Sequence, residues 1–454
     1  MKLWRVNFPF LVVIGVFFLW VFIPVFGQTK KQIPWPQGKQ DSIGQYYRLS
    51  KLDSLPLEER LRNVSLFLEE IHRSQNDSLI YNGLMQKTML LGRLKQYDSA
   101  IVYTHQLYNM ALKENDTLYL RRALLKLGIY HKKNDQLEKS FNYYNKSFKL
   151  ARIKKDTFQA GRDLLSMANI QAFLGDYSGS KTTAVDGIKY LERSLDLKSL
   201  AGLYHAISVA NRNQKNYSEA LKYNQKALAL GKDSLSKRKI RLYNILMFKN
   251  TKALILANNE NYDEAITILN RLVADPIVKK NLMEYARVLG NLANVKWLAN
   301  KENSDSEEMM LESLEIRKNI QDIQGLFASN IYLTNYYLEK DKSKALGYAE
   351  AAYQNAKKHN SLTSILDALG LIFKLREATK EEAIEFSQIH TQLIDINQSN
   401  REMYAVTKYD NYKLSNENLT LKAEKAKKER QQIIYLFTSL FVILGTGVVF
   451  YLLR

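Results

Sequence analysis

Asn216-Tyr-Ser-Glu-Ala-Leu-Lys-Tyr-Asn-Gln-Lys-Ala-Leu228 decides how the rest of the chain is read. The small Ala220 stands three residues after the aromatic Tyr217, and Ala227 follows seven residues later. That spacing puts small and apolar side chains on one face of a helix. Outward from this stretch the pattern returns as Tyr97-Asp-Ser-Ala-Ile101, Tyr177-Ser-Gly-Ser180 and Tyr262-Asp-Glu-Ala-Ile266. Looser copies centre on Ser140, Ser306, Ala345 and Ala383. The small residue thus falls at 100, 140, 180, 220, 265, 306, 345 and 383, a spacing of 38 to 45 residues. Twelve residues before the small position stands another small or short residue in five copies: Thr88, Gly128, Ala168, Ser208 and Ala253. Two such positions facing each other let two helix backbones approach closely. The spacing therefore predicts antiparallel helix pairs, with Asp or Ser beside the aromatic capping the second helix.

Composition agrees with a folded helical chain. Of 454 residues, 46% are hydrophobic and 25% charged, which is not a disordered composition. Six Pro and 19 Gly are too few for a turn-rich all-β fold. The absence of Cys excludes disulfides, thiolate-bound metals and a thiol nucleophile. Lys and Arg number 66 against 46 Asp and Glu, a net charge of +20. Such a balance suits anionic partners.

The small, aromatic and Ala positions resemble the tetratricopeptide repeat, a helix–turn–helix unit of about 34 residues. The best-matching stretches are 216–228 and 261–266. The period here is about six residues longer, and the Trp and Pro of the repeat are mostly absent. The resemblance covers about eight units over residues 78–397. It implies an all-α, TPR-like α-solenoid of antiparallel helix pairs, with a repeat core at Ala100, Gly128, Ala168, Tyr217, Ala220, Tyr262, Ala265 and Ala345. Residues 28–77 read as a linker and N-terminal capping helices, Leu55 to Ile71 being amphipathic.

Both ends are apolar. Lys2 and Arg5 precede an apolar run from Phe8 to Phe26, and Val25-Phe-Gly27 offers a cleavage site, so residues 1–27 read as a signal peptide, an uncleaved anchor being the alternative. Ile433 to Leu453 carries no formal charge over 21 residues and reads as one C-terminal transmembrane helix. Residues 398–432 read as a helical stalk. Ala405, Tyr409, Tyr412, Asn416, Leu419, Ala423, Ala426, Arg430 and Ile433 thread a weak heptad seam along it. Two readings of that seam stand: a homodimeric coiled coil, and a solvated single helix. Lys422, Lys425, Lys427, Lys428 and Arg430 make the flank before the span basic, against the positive-inside rule if the array is exported.

No catalytic constellation is present. His72, His105, His131, His205, His359 and His390 form no metal-binding pair. Gly175-Asp-Tyr-Ser-Gly-Ser-Lys-Thr182 has the wrong spacing for a phosphate loop and follows no strand. Asp-Ser or Asp-Thr before an apolar residue recurs, as at Asp116-Thr-Leu118; this is how a helix start reads, and also the form of an O-glycosylation triplet. The expectations are no enzyme, no cofactor, no metal and no direct nucleic-acid binding. The expected partner is a protein or peptide, acidic by charge complementarity, in a groove to which Asn169, Asn211, Lys222, Asn294 and Asn335 are candidates. The whole layout resembles the periplasmic sensor half of Gram-negative TPR-containing membrane signalling proteins. That implies a single-pass inner-membrane protein with its array in the periplasm, sensing or scaffolding in the envelope. The alternative is the sensor half of a one- or two-component transcription regulator whose output domain, a histidine kinase or helix-turn-helix regulator, is missing.

Overall fold

The computed structural model describes residues 40–72, 77–232, 240, 242–303 and 305–453, in two units, Met1–Gly83 and Leu84–Arg454. The expected signal peptide, residues 1–27, lies outside the described residues. In the first unit α1 (Gln40–Lys51) packs on α2 (Leu57–His72). Their turn is held by buried Arg60, which donates to the Ser50 carbonyl at 3.0 Å and to Asp53 at 2.6 Å. Tyr47 stacks on Phe67 at 4.7 Å between ring centroids.

A simple rule builds the chain after that. Helices α3 (Asp77–Arg93), α4 (Tyr97–Lys113), α5 (Thr117–Lys133), α6 (Leu137–Ile153) and α7 (Thr157–Phe173) each have 17 residues and are each followed by a three-residue turn. Each turn holds one residue in the left-handed region: Lys95, Asn115, Asp135, Lys155 and Gly175, one every 20 residues. At the end of α4 the Asn115 amide returns to the Leu112 carbonyl and the Asp116 amide to Ala111, at 3.2 and 2.9 Å. This is the Schellman closure of a helix C-terminus. Asp116 then turns its carboxylate to the amides of Leu118 and Tyr119, capping α5. Asp156 and Asp176 likewise cap α7 and α8 (Tyr177–Leu191). Twenty residues per helix gives 40 per pair, which accounts for a period longer than 34.

The array continues through α9 (Leu197–Asn213), α10 (Tyr217–Lys232), α11 (Leu242–Asn258) and α12 (Tyr262–Ala274). A short α13 (Pro276–Lys280) interrupts before α14 (Leu282–Ala299), α15 (Asp305–Asn319), α16 (Ile323–Tyr337), α17 (Lys342–Lys358) and α18 (Leu362–Leu375). Neighbouring helices pack pairwise along the chain. The small residues twelve apart do touch. The Ser140 hydroxyl donates to the Gly128 carbonyl at 2.6 Å, and Ser208 to the Ala220 carbonyl at 2.8 Å. A Cβ on Gly128 would come within 2.9 Å of the Tyr144 ring. Ala100, Ala168, Ala220, Ala265 and Ala345 are fully buried, and Tyr217 and Tyr262 are half-buried at helix starts.

The last helix, α19 (Lys380–Leu452), is 73 residues long. Its beginning comes back onto the middle of the array, where Ile389 and Leu393 join Phe148, Leu164, Met167, Leu369 and Ile372 in one apolar core. Two sequence expectations are corrected here. Among the described residues no helix is long and apolar enough to cross a membrane. The run Ile433 to Leu453 belongs to the end of α19 and is not a separate transmembrane helix. The single-pass inner-membrane placement, with the array in the periplasm, falls with it. Counting uncharged residues overstated the run: Thr438 and Ser439 lie within it, their hydroxyls turned back to the carbonyls of Ile434 at 3.0 Å and Tyr435 at 2.5 Å. The rest of the helix is densely charged.

Candidate functional site: a polar row on the inner helices

The first helices of successive pairs, α7, α9, α11, α14, α16 and α18, reach one another along the array. This makes them its closely packed inner row, the side on which a helical repeat curves. An apolar row would be expected to do no more than pack. Here it carries a hydrogen-bond chain. Tyr332 on α16 donates to Asn291 on α14 at 2.8 Å, and Asn291 donates to Asn250 on α11 at 2.9 Å. One pair earlier, His205 on α9 lies 2.9 Å from the Thr251 hydroxyl. His205 and Asn250 each stand three residues before the small position of their first helix, Ser208 and Ala253, and Asn291 and Tyr332 follow at steps of 41 residues. The repeat that sets the packing also sets this row.

Charge lies beside the row. Arg287 pairs with Glu284 through its Nε at 2.9 Å, and Tyr243 donates to the other oxygen of Glu284 at 2.5 Å. Burial, with the hydrogen bond to that carboxylate, pushes the Tyr243 phenol up to about 12. Arg317 is buried and donates to the Gly325 carbonyl and to Ser329. Arg212, on α9, differs. Its side chain has no ion pair or hydrogen bond among the described residues, and its buried Nε is left without a partner. Its electrostatic neighbours are the hydroxyls of Tyr332, Tyr177 and Tyr217, with no carboxylate among them, and burial disfavours its charge. Burial, then Arg212 and Arg287, press His205 down to about 4, so it is neutral at physiological pH.

The groove residues expected from sequence fall elsewhere. Asn211 is buried, donating to the Ile207 carbonyl at 3.0 Å and accepting from Lys181 at 3.0 Å. Lys222 is paired with Glu219 at 2.8 Å on an exposed surface. Asn169 is exposed, and Asn294 and Asn335 are half-buried three residues past Asn291 and Tyr332. His205, Arg212, Asn250, Asn291 and Tyr332 were missed, although a step of 41 to 45 residues links four of the five. Among the described residues no group of three or more His, Asp or Glu could hold a metal ion.

The tetratricopeptide repeat family matches residues 200–237, the stretch that carries α9 and α10. No curated protein sequence matches the chain. The apo form of RapI superposes with a TM-score of 0.53 at 15% identity, over 62% of this chain and 98% of that one. A Rap protein complexed with Competence and Sporulation Factor superposes at 0.51 and 12% identity, over 80% and 98%. The apo quorum sensor NprR from B. thuringiensis is similar at 0.49 and 11%, over 79% and 98%. At such identities the likeness is one of fold. The chain is a TPR-like helical repeat protein.

Proposed function

We propose that this chain is a peptide-binding TPR-like module that takes a ligand carboxylate along its inner row. The observation that carries the reading is Arg212. Its Nε is taken out of water with no acceptor, and an unmade buried donor is costly, the more so on a cation with no counter-charge beside it. Arg60, Arg287 and Arg317 each have partners at comparable depth. A carboxylate accepting from Arg212 would remove the deficit, and a planar fork matches a carboxylate in two parallel bonds. Tyr177, Tyr217 and Tyr332 around it suit the flanking residues of a peptide, their rings giving area and their hydroxyls donors. The Rap protein found with Competence and Sporulation Factor supports the reading by fold alone.

The test is a positional-scanning hexapeptide library, immobilised through its N-terminus and probed with the full chain. The expected result is enrichment of peptides with Asp, Glu or a free C-terminal carboxylate. Arg212→Gln should lower the affinity of the enriched peptides about thirtyfold, on the order of the 2 kcal/mol of a charge-assisted hydrogen bond. Equal binding of amidated neutral peptides by both chains would sink the reading.

A further inference from the structure

The terminal helix changes character part-way along without a break in its backbone. From Phe386 to Ile396 it is held by apolar contacts, Ile389 and Leu393 lying in the core shared by α6, α7, α17 and α18. From Asn397 to Lys408 polar and ionic contacts take over, although the Tyr404 ring and Met403 still reach the same core. Asn397 donates to the Leu174 carbonyl at 3.0 Å. Arg401 grips Asp176 with both arms of its fork, Nε at 2.9 Å. Tyr404 and Lys408 both donate to Asp186, at 2.9 and 2.8 Å. Asn145 donates to Thr407 at 2.9 Å. After Lys408 the described side chains stand exposed, Tyr409 and Tyr412 each 66% so.

This middle stretch is incompletely matched to its seat. Asn400 is fully buried, and neither atom of its side-chain amide has a partner. The side-chain oxygens of Asn397 and Asn145 are also buried and unpartnered. Open clefts flank both ends. One of 340 Å³ adjoins Gln392 and Ile396. The other, of 390 Å³, lies between Arg152, Tyr190, Tyr404 and Lys408. The seat itself is polar and acidic: Asp176, Asp186, Asn145 and the Leu174 carbonyl. A segment evolved only to close the array would dock by an apolar face, as Phe386, Ile389, Leu393 and Ile396 do just before it. Partly satisfied polar burial holds weakly and specifically, so docked and released states lie close in free energy.

We propose that residues 397–408 form a detachable latch on α6 and α8, which lets go as a unit while 386–396 stays packed. Because α19 is one continuous helix, release swings everything beyond Lys408. The device gives the array two discrete outputs in the direction of its terminal helix, and it holds whether or not the inner row takes a peptide.

The chain has no Cys, so paired labels go in without removing any. Spin labels at Lys149→Cys and Asp410→Cys, whose native side chains lie 3.9 Å apart, report the latch. Labels at Lys357→Cys and Glu385→Cys, natively 3.2 Å apart, report the anchor. In the full chain, Arg401→Gln with Tyr404→Phe and Lys408→Gln should raise a second, longer latch distance at least tenfold in population, leaving the anchor distance unchanged. Asn400→Leu alone should deplete that longer distance severalfold. The proposal is overturned if the latch distance stays single in the triple variant, if both label pairs change together, or if Asn400→Leu enriches the long distance.

Discussion

Two polar seams run through this array, and they are built to opposite standards. On the inner row, Tyr332, Asn291 and Asn250 pass hydrogen bonds from one repeat to the next. Under the terminal helix, Asn400 is equally buried and wholly unpartnered. The first seam is a chain of mutually satisfied dipoles, which rigidifies and fixes register. The second is held by charges at its edges around an unmet centre. The difference teaches that burial alone does not separate a structural contact from a movable one. What separates them is whether the polar groups taken out of water are given partners.

Asp163 is the severest case of a satisfied buried group, and it carries the largest expected effect. It accepts from Ser147 and Gln159, each at 2.8 Å, yet burial outweighs those bonds and pushes its carboxyl up to about 7. The folded state therefore keeps a proton that the unfolded chain sheds near 3.8. Below that pH both states are protonated and nothing is lost. As pH rises from about 4 to about 7, stability falls, by about 4 kcal/mol for a three-unit shift. Asp163→Asn should remove that fall: denaturant melts at pH 8 should show it more stable than the parent, and at pH 4 no more stable. His205 slopes the other way, its neutral form being lost with stability as pH drops from about 6.5 to about 4. If the variant keeps the parent's pH profile, Asp163 is not held protonated.

Asn291→Ala comes next. It strands the Asn250 carbonyl oxygen and the Tyr332 hydroxyl at once, at a cost of about 3 kcal/mol. Thermal unfolding should fall accordingly, while Asn145→Ala, whose partner Thr407 retains its bond to the Met403 carbonyl, should cost less than half as much. Equal losses would erase the contrast between the seams.

Much of the fold was legible because its signal is steric. Ala100, Gly128, Ala168 and Ala220 must be small where backbones meet, and a side-chain limit at a fixed offset shows in sequence. The turns were not legible in the same way. Of the left-handed positions among the described residues, only 175 is glycine; Lys95, Asn115, Asp135 and Lys155 do the same work with ordinary polar residues. The inner row was legible in register and was overlooked because Asn294 and Asn335, three residues on, look equally polar. In the terminal helix the seam was sought among apolar and aromatic residues, Ala405, Tyr409 and Tyr412. The docked face instead carries Asn400, Tyr404 and Thr407, the same 4-and-3 spacing displaced around the helix. Hydrophobic periodicity cannot find a face whose residues are mostly polar. The run at 433–453 misled for the complementary reason: an uncharged stretch of 21 residues was read as a span, and no described helix is long and apolar enough to be one.

The finest test compares two hydroxyls. Tyr332 donates to Asn291, whose oxygen has no other donor shown, and Tyr404 donates to Asp186, which keeps Lys189 and Lys408 at 2.8 Å each. Burial alone would raise the Asp186 carboxyl; those three donors outweigh it and hold it below the usual carboxylate range. Removing one of three donors to a carboxylate leaves it largely paired, whereas removing a sole donor exposes the full desolvation cost of the acceptor. Tyr332→Phe should therefore destabilise by about 2 kcal/mol, and Tyr404→Phe by about 0.5 kcal/mol, in urea melts of the full chain. The latch hydroxyl should then matter more for where the terminal helix points than for whether the array is folded. The reverse order of the two losses would mean that the latch, not the inner row, is the seam on which the fold depends.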